Sequence, residues 1–341
     1  MKMSYLQKIS YYYPKKCLTN EDLSTLHPEW SPEKISKKTG IYKRYLSAEN
    51  ETAVDMAEKV AQKLFEEYQI DKNLIDFVIL CTQSPDYYLP TSACILQDRL
   101  GLSEDCGAYD YDLGCSGYVY GLGMAKGLIE SRQAKNVLLL TSETYTKYIH
   151  PQDKSCKTIF GDGASASLVT SEKMEDGMNA VILQPSYRTL GSKYHTLIVE
   201  NGASKHPLHN GHDEQSEDGS FLKNSNNLFM DGKEIFDFSA IKVPELLYKN
   251  LEINGMTLDD VDWFVFHQAN QYMLNFIKMK CKLPSDKFVM DLADGGNTVS
   301  STIPIVLSKM HKDNKFEKGQ ILDLSGFGVG LSIANVILKV E

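Results

Sequence analysis

The 341-residue sequence lacks any apolar run of the roughly 18 residues that a bilayer demands, so no transmembrane helix is expected. Its opening stretch, MKMSYLQKISYYYPKK, has no apolar segment of the secretory kind, and a cytoplasmic protein is the expectation. Basic residues are short against acidic ones, 36 to 45, for a formal net charge of −9. That argues against broad nucleic-acid binding, which leans on clustered positive charge, while leaving room for a local basic patch. No CxxC pair occurs. The seven cysteines (Cys17, Cys81, Cys94, Cys106, Cys115, Cys156 and Cys281) are odd in number. A disulfide framework or zinc site is therefore not expected, and a reducing compartment fits.

What is present is a chain long enough for two domains or one large one, with a large core. β-Branched and aliphatic runs alternate with amphipathic stretches. Ile75–Cys81 reads as a buried strand after a helix from Thr52 to Tyr68. In that helix Val54, Ala57, Val60, Ala61, Leu64 and Phe65 share one face. Val137–Leu140 is a second strand, preceded by a helix from Gly117 to Ile129. Val261–Phe266 and Ile321–Leu324 repeat the pattern. The alternation predicts an α/β protein with a largely parallel sheet.

The chain also resembles itself. Leu74–Val78 matches Asp260–Phe264, and Asp112–Cys115 matches Asp294–Asn297. Ala134–Leu138 matches Glu317–Ile321, and Gly161–Ser165 matches Gly328–Ser332. The four matches keep one order, which points to two copies of one unit. Between them, residues 200–227 are rich in Asn, His, Ser, Gly and Asp and read as a long surface loop. His206, His209 and His212 fall there at a spacing of three. With no supporting cysteine or second cluster, a solvated polar loop is the better reading than a metal site.

Four segments could carry chemistry. Cys115 follows the strand-like run Ala108–Leu113 and precedes a small-residue helix, so its thiol sits at a helix N-terminus. There the dipole and free N–H groups favour thiolate and lower the pKa. By itself it reads equally as a buried cysteine beside a packed helix. His267 opens the tetrad His267-Gln268-Ala269-Asn270 at the end of an apolar strand, where α/β sheets place their sites. It suits acid/base work or hydrogen-bond donation, or a structural role. Asn297 holds in the second copy the place that Cys115 holds in the first. Its amide could donate to a carbonyl, or its side chain could cap a helix. Gly326-Phe327-Gly328-Val329-Gly330 is a glycine-rich turn whose N–H groups could approach a ligand. It lacks the Lys-Ser/Thr of a phosphate loop.

Together these pieces resemble the 3-oxoacyl-[acyl-carrier-protein] synthase III family of the thiolase-like condensing enzymes. The likeness runs from about residue 4 to 340. Its Cys–His–Asn triad falls on Cys115, His267 and Asn297. Gly161-Asp162-Gly163-Ala164, Thr39-Gly40-Ile41 and Leu89–Gln97 match further family segments. The resemblance implies a five-layer αβαβα fold of two duplicated halves, 1–172 and 173–341, and a homodimer. It implies that acyl-CoA loads its acyl group on Cys115. The acyl-enzyme then condenses with a malonyl thioester, with loss of CO₂, to a 3-oxoacyl product of fatty-acid or polyketide synthesis. The oxyanion would be held by the backbone N–H groups of Cys115 and Val329, with His267 Nε2–H and the Asn297 amide donating to the enolate. No cofactor or metal is implied. The alternative is an acyltransferase that passes the acyl group to an oxygen or nitrogen nucleophile.

For substrate binding the resemblance points to Trp30, Lys38, Lys154 and Asn270. The family often has arginine at the two lysine positions, and Trp30 stands three residues further from the Thr39-Gly40-Ile41 turn than usual. For docking an acyl carrier protein it leaves Lys278, Lys280 and Lys282, because Tyr272 and Asp237 replace common basic residues.

Overall fold

A computed structural model describes residues 2–208, 210–217 and 219–341. His209 of the spaced histidines lies outside the described residues. Among the described residues no group of three or more His, Cys, Asp or Glu is placed to hold a metal ion. No described helix is long and apolar enough to cross a membrane.

The chain opens with β1 (Tyr5–Tyr12), β2 (Lys16–Thr19), α1 (Asn20–Leu26), α2 (Pro32–Thr39) and β3 (Lys43–Leu46). There follow α3 (Ala53–Glu67), β4 (Phe77–Cys81), α4 (Ser92–Leu100), β5 (Gly107–Tyr111) and α5 (Gly117–Glu130). Next come β6 (Asn136–Glu143), α6 (Lys154–Lys157), β7 (Gly163–Thr170), β8 (Ala180–Ile182) and β9 (Ser186–Thr189). Four short strands follow: β10 (Leu197–Val199), β11 (Glu214–Gln215), β12 (Phe221–Lys223) and β13 (Leu228–Met230). The chain ends with α7 (Gly232–Ile253), β14 (Trp263–Phe266), α8 (Gln271–Lys280), α9 (Thr302–Lys312), β15 (Ile321–Gly328) and β16 (Ser332–Val340).

Strand alternation builds the layers. Val78, Leu80, Leu138 and Leu140 pack on α3 and α4, while Ile79, Val137 and Leu139 point the other way, onto α5. In the later strands Phe264, Phe266 and Ile321 pack towards α7 and α8, while Val265, Leu322 and Leu324 join the cluster of α5 and α9. With a side-chain period of two, each sheet half therefore buries both faces. The stack is α3/α4, sheet, α5/α9, sheet, α7/α8, the five-layer αβαβα arrangement. Helix α3 shows the local logic. Thr52 and Asp55 form a reciprocal capping box at its start, and Val54, Ala57, Val60, Ala61 and Leu64 are buried along one stripe. Truncating Leu64 to alanine would cost about 2–5 kcal/mol.

Ten strands form one sheet in the order β14-β15-β16-β8-β1-β7-β6-β4-β5, with β9 also on β16, and β2 pairs with β3 apart from it. It is mixed rather than largely parallel, a correction to the sequence expectation. β4 pairs parallel with β5 and β6, and β14 with β15, but β6/β7, β7/β1, β1/β8, β8/β16 and β16/β15 are antiparallel. A connection as short as Val329–Leu331 between β15 and β16 can only make a hairpin, since a parallel crossover needs a dozen or more residues. The 200–227 segment is likewise more than a loop. β10 pairs with β13 at its base and β11 with β12 further out. Strands of two or three residues are too short to print an alternating pattern.

Candidate active site

The ends of β5, β14 and β15 and the turn before α9 converge on one cavity of about 650 Å³. Its buried wall holds Cys115, His267, Asn297, Phe327 and Gly328. Its exposed rim holds Lys37, Lys38 and Tyr272, near Asn270 and Asn275.

Cys115 sits in the turn between β5 and α5 and is only 7% exposed. The β15–β16 turn presses on it. A Cβ on Gly328 would lie 2.8 Å from both Cβ and Sγ of Cys115, and φ there is +157°. The hydroxyls of Ser116 and Ser332 meet at 2.6 Å, and Ser332 Oγ donates to the Val329 carbonyl at 3.0 Å, which ties the turn to the start of α5. Burial pushes the Cys115 thiol up to about 12, against the backbone N–H groups of Val329 and Cys115, which act to lower it. The expectation of a lowered pKa is thus corrected. Removing the sulfur from water outweighs the helix start.

His267 directly follows β14, 1% exposed, with its backbone N–H bonded to the Ser325 carbonyl at 2.8 Å. Its Nδ1 lies 2.7 Å from Thr302 Oγ1, at the first residue of α9. Phe327 stands edge-on to the ring at 5.5 Å. Burial lowers the His267 pKa to about 3, so the ring is neutral. Asn297 is 4% exposed. Its Oδ1 accepts the Val299 N–H at 2.9 Å, which fixes the amide so that Nδ2 faces His267 Nε2 at 3.4 Å. Val299 takes φ +57°, a strained conformation for a β-branched residue. Asn297 does not cap α9, whose N-cap is Ser301.

Of the other predicted residues, Lys38 and Asn270 line the cavity. The Asn270 Oδ1 is also the cap of α8, accepting from Met273 N at 2.9 Å. Trp30 and Lys154 are not among the lining residues. Trp30 lies under the ammonium groups of Lys34 and Lys38, at 5.7 and 5.0 Å from its ring. Lys154 is paired with Glu29. Lys278 and Lys280 lie at the end of α8 away from the cavity, about 10–14 Å along the helix from Gln271, and Lys282 lies just beyond that end. Lys278 donates to Ser285 Oγ at 3.3 Å. On α8 the cavity is lined instead by Gln271, Tyr272, Met273 and Asn275, and Tyr272, 65% exposed, stands in an aromatic group with Phe236.

Sequence reasoning missed Thr302 and Glu143. Thr302 follows Asn297 by five residues in a run of hydroxyl side chains, the signal that could have marked it. Glu143, at the end of β6, is fully buried. Its carboxylate accepts the Gln83 N–H at 3.0 Å and the Ser84 hydroxyl at 2.9 Å. Burial holds its pKa well above the carboxylate range.

Fold and site define a thiolase-like enzyme of the acyl-transferring class. The profile of 3-oxoacyl-[acyl-carrier-protein] synthase III matches residues 109–191, and that of its C-terminal part matches 251–340. Beta-ketoacyl-[acyl-carrier-protein] synthase III of Clostridium perfringens is 32% identical over 328 residues, 96% of each chain. Its counterpart in Campylobacter fetus is 34% identical over 340 residues, 99% of each. A crystal structure of a 3-oxoacyl-(acyl-carrier-protein) synthase III superposes with a TM-score of 0.94 at 43% identity, covering 99% of both chains. The chain belongs to the 3-oxoacyl-[acyl-carrier-protein] synthase III family.

Proposed function

We propose that this protein loads an acyl group from acyl-CoA onto Cys115 and condenses it with a malonyl thioester, carried by an acyl carrier protein. The reading is carried by one observation: Cys115, His267 and Asn297 share the buried wall of a single cavity open to solvent at its other end. The Cys115 sulfur attacks the thioester carbonyl. The Sγ–C bond forms as the CoA S–C bond breaks, and the thiol proton leaves with CoA. The N–H groups of Cys115 and Val329 receive the oxyanion. In the second half-reaction the malonyl C–C bond to carboxylate breaks, CO₂ leaves, and the electron pair moves onto the thioester as an enolate. Asn297 Nδ2–H donates to the enolate oxygen. His267 donates from Nε2 when Thr302 turns its hydroxyl hydrogen to Nδ1. The enolate carbon then attacks the acyl carbonyl and Cys115 leaves.

The two halves of the fold divide near residue 172, between β7 and β8, and the paired active-site turns sit one in each half. Two copies associate through the edge strand β5, which among the described residues pairs with β4 alone, and through the exposed Tyr87, Tyr88 and Leu89. Seven unpaired cysteines, two of them exposed, favour a reducing cytoplasm. The cations Lys37 and Lys38 on the rim suit the phosphates of CoA. Lys280 and Lys282 remain exposed for an acidic carrier.

The test is to mix the enzyme, acyl-CoA and malonyl-carrier protein. Release of CO₂ with a 3-oxoacyl product is expected. Acyl transfer to an alcohol or amine without CO₂ would overturn the condensation. Cys115→Ala should gain no acyl mass.

A further inference from the structure

In the reading above, the two N–H groups that receive the oxyanion come from different halves of the chain. That of Cys115 belongs to the turn before α5, and that of Val329 to the turn between β15 and β16. Their spacing is set where two separate turns meet, not within one loop. The Val329 turn has little stiffness of its own. Val329 stands between Gly328 and Gly330, whose φ angles are +157° and +133°. Glycine places no side-chain restraint on the backbone there. Whatever holds the Val329 N–H in line must come from its neighbours.

Two hydroxyls are placed to do so. Ser332 lies across the hairpin from Gly328, in the last pair of the β15–β16 ladder. Its Oγ donates to the Val329 carbonyl at 3.0 Å and lies 2.6 Å from Ser116 Oγ. One hydroxyl has a single hydrogen. With that of Ser332 given to Val329, the hydrogen between the two serines comes from Ser116. The relay therefore runs one way, from Ser116 through Ser332 to the Val329 carbonyl. Ser116 directly follows the nucleophile, so the relay joins the Cys115 turn to the Val329 turn. The carbonyl and N–H of Val329 share one Cα, and holding the first limits where the second can point. Both serines are buried, at 1% and 2% exposure, where a hydroxyl without a partner is costly. Around the relay the backbones touch. A Cβ on Gly326 would lie 2.8 Å from Ser116 Cα, and one on Gly114 would lie 2.5 Å from Val329 Cγ1.

Resting on the acyl-Cys115 reading, we propose that the Ser116–Ser332 pair positions the oxyanion hole, holding the Val329 N–H in line with that of Cys115. Neither serine lines the cavity, so both are positioning residues. The oxyanion forms twice: when Cys115 attacks the thioester, and again when the enolate carbon attacks acyl-Cys115. It does not form in the decarboxylation, where Asn297 and His267 receive the charge. A hole out of line slows both attacks and spares the loss of CO₂. An enolate left waiting takes a proton from water and becomes the acetyl thioester of the carrier. CO₂ is then released without a 3-oxoacyl product.

The experiment compares Ser332→Ala, Ser116→Ala and the double variant with wild type. Acetyl-CoA and hexanoyl-CoA are the donors, and malonyl-carrier protein is the acceptor. Single-turnover formation of acyl-Cys115 is followed by intact mass at several acyl-CoA concentrations. CO₂ and 3-oxoacyl product are measured in the same reactions. Ser332→Ala should slow acylation about tenfold or more at saturating acyl-CoA, with the half-saturating concentration within about twofold of wild type. Ser116→Ala leaves Ser332 able to donate, and its loss should be smaller, about threefold. The double variant should match Ser332→Ala within about twofold, because a relay cut at its second link has no first link to lose. In Ser332→Ala, CO₂ should exceed 3-oxoacyl product several-fold, against near equality in wild type. That ratio does not depend on how much of a variant is folded. Acylation at the wild-type rate in Ser332→Ala, a CO₂-to-product ratio that stays near one, or losses that multiply in the double variant would each overturn the inference while leaving acylation of Cys115 in place. Wild type that takes up neither acyl group on Cys115 would overturn the functional reading and this inference together.

Discussion

Thr302 Oγ1 stands 2.7 Å from His267 Nδ1 and 3.1 Å from the Val299 carbonyl. One hydroxyl hydrogen cannot serve both. Given to Val299, it leaves Nδ1 as the protonated nitrogen and Nε2 bare. Given to Nδ1, it puts the ring proton on Nε2, where the enolate needs it. Thr302 is thus a positioning residue for the tautomer. Thr302→Val should leave the rate of acyl-Cys115 formation within about twofold. It should slow malonyl decarboxylation about fivefold, the value of one buried hydrogen bond near 1 kcal/mol. Thr302→Ser should restore decarboxylation, and equal loss in both half-reactions would count against the role.

Asn297 has two separable duties. Its Oδ1 holds Val299 in a left-handed conformation, and its Nδ2 faces the reacting cavity. Asn297→Ala should cut CO₂ release about 100-fold or more, as loss of an oxyanion donor does elsewhere, while Cys115 still takes up acyl mass. Asn297→Asp keeps an acceptor for Val299 and, once its carboxyl is ionised, carries no donor. Above the pKa of that carboxyl it should still take up acyl mass on Cys115 and fail in decarboxylation. A fully active aspartate variant would refute the donor role.

A thiol pushed up to about 12 by burial is protonated at neutral pH. The rate of iodoacetamide alkylation at Cys115, followed by peptide mass, should keep rising by about tenfold per pH unit through roughly pH 9. A plateau near pH 7 would mean that the helix start and the two N–H groups overcome desolvation after all.

Gly328→Ala places a methyl group against the nucleophile itself, 2.8 Å from its sulfur, at a φ that side chains rarely adopt. Acylation should fall by about 100-fold or more, because the thiol or the Val329 N–H must move and catalytic geometry tolerates little displacement. The measurement is the burst of CoA release. A burst of normal size and rate would show that the turn is not the wall described above.

Asp323 offers a test on stability. It is buried on β15, holds hydrogen bonds from Asn335 Nδ2 at 2.9 Å, and burial raises its pKa from 3.8 to about 7. The folded state therefore keeps a proton that the unfolded chain gives up near 3.8. The stabilisation is complete below that value and is lost as pH rises to about 7, with a slope of up to about 1.4 kcal/mol per unit. Asp323→Asn cannot ionise. Its unfolding free energy relative to wild type should improve steadily from about pH 4 to 7 and then level off. Parallel denaturant curves for the two proteins across that window would contradict the raised pKa.

Much of the fold was readable because the signals are local. The period-two and helical patterns placed β4, α3, α5 and β15 within a residue or two at most ends. One of the four self-matches pairs the segments that carry Cys115 and Asn297, and both residues line one cavity. Several of the misses are long-range. Nothing in the sequence near Lys154 shows that Glu29 takes its charge, or that Lys38 covers Trp30. The direction of the Cys115 pKa depends on how completely β15 and α5 shut out water, which spacing does not report. Ser116 and Ser332 stand 216 residues apart in the chain and meet only when β16 packs against the start of α5.

The place of β1 in the sheet sets a timetable for making this protein. Strand β1 pairs with β7 and β8, which are made after it, and its Ile9 carbonyl waits for Ser308 on α9. At about 5–20 residues per second, that partner arrives tens of seconds later. Through that interval an apolar strand has no finished sheet to join. Yield in the cell should therefore depend on chaperones that shelter a nascent β-edge, more than on the equilibrium stability of the finished molecule.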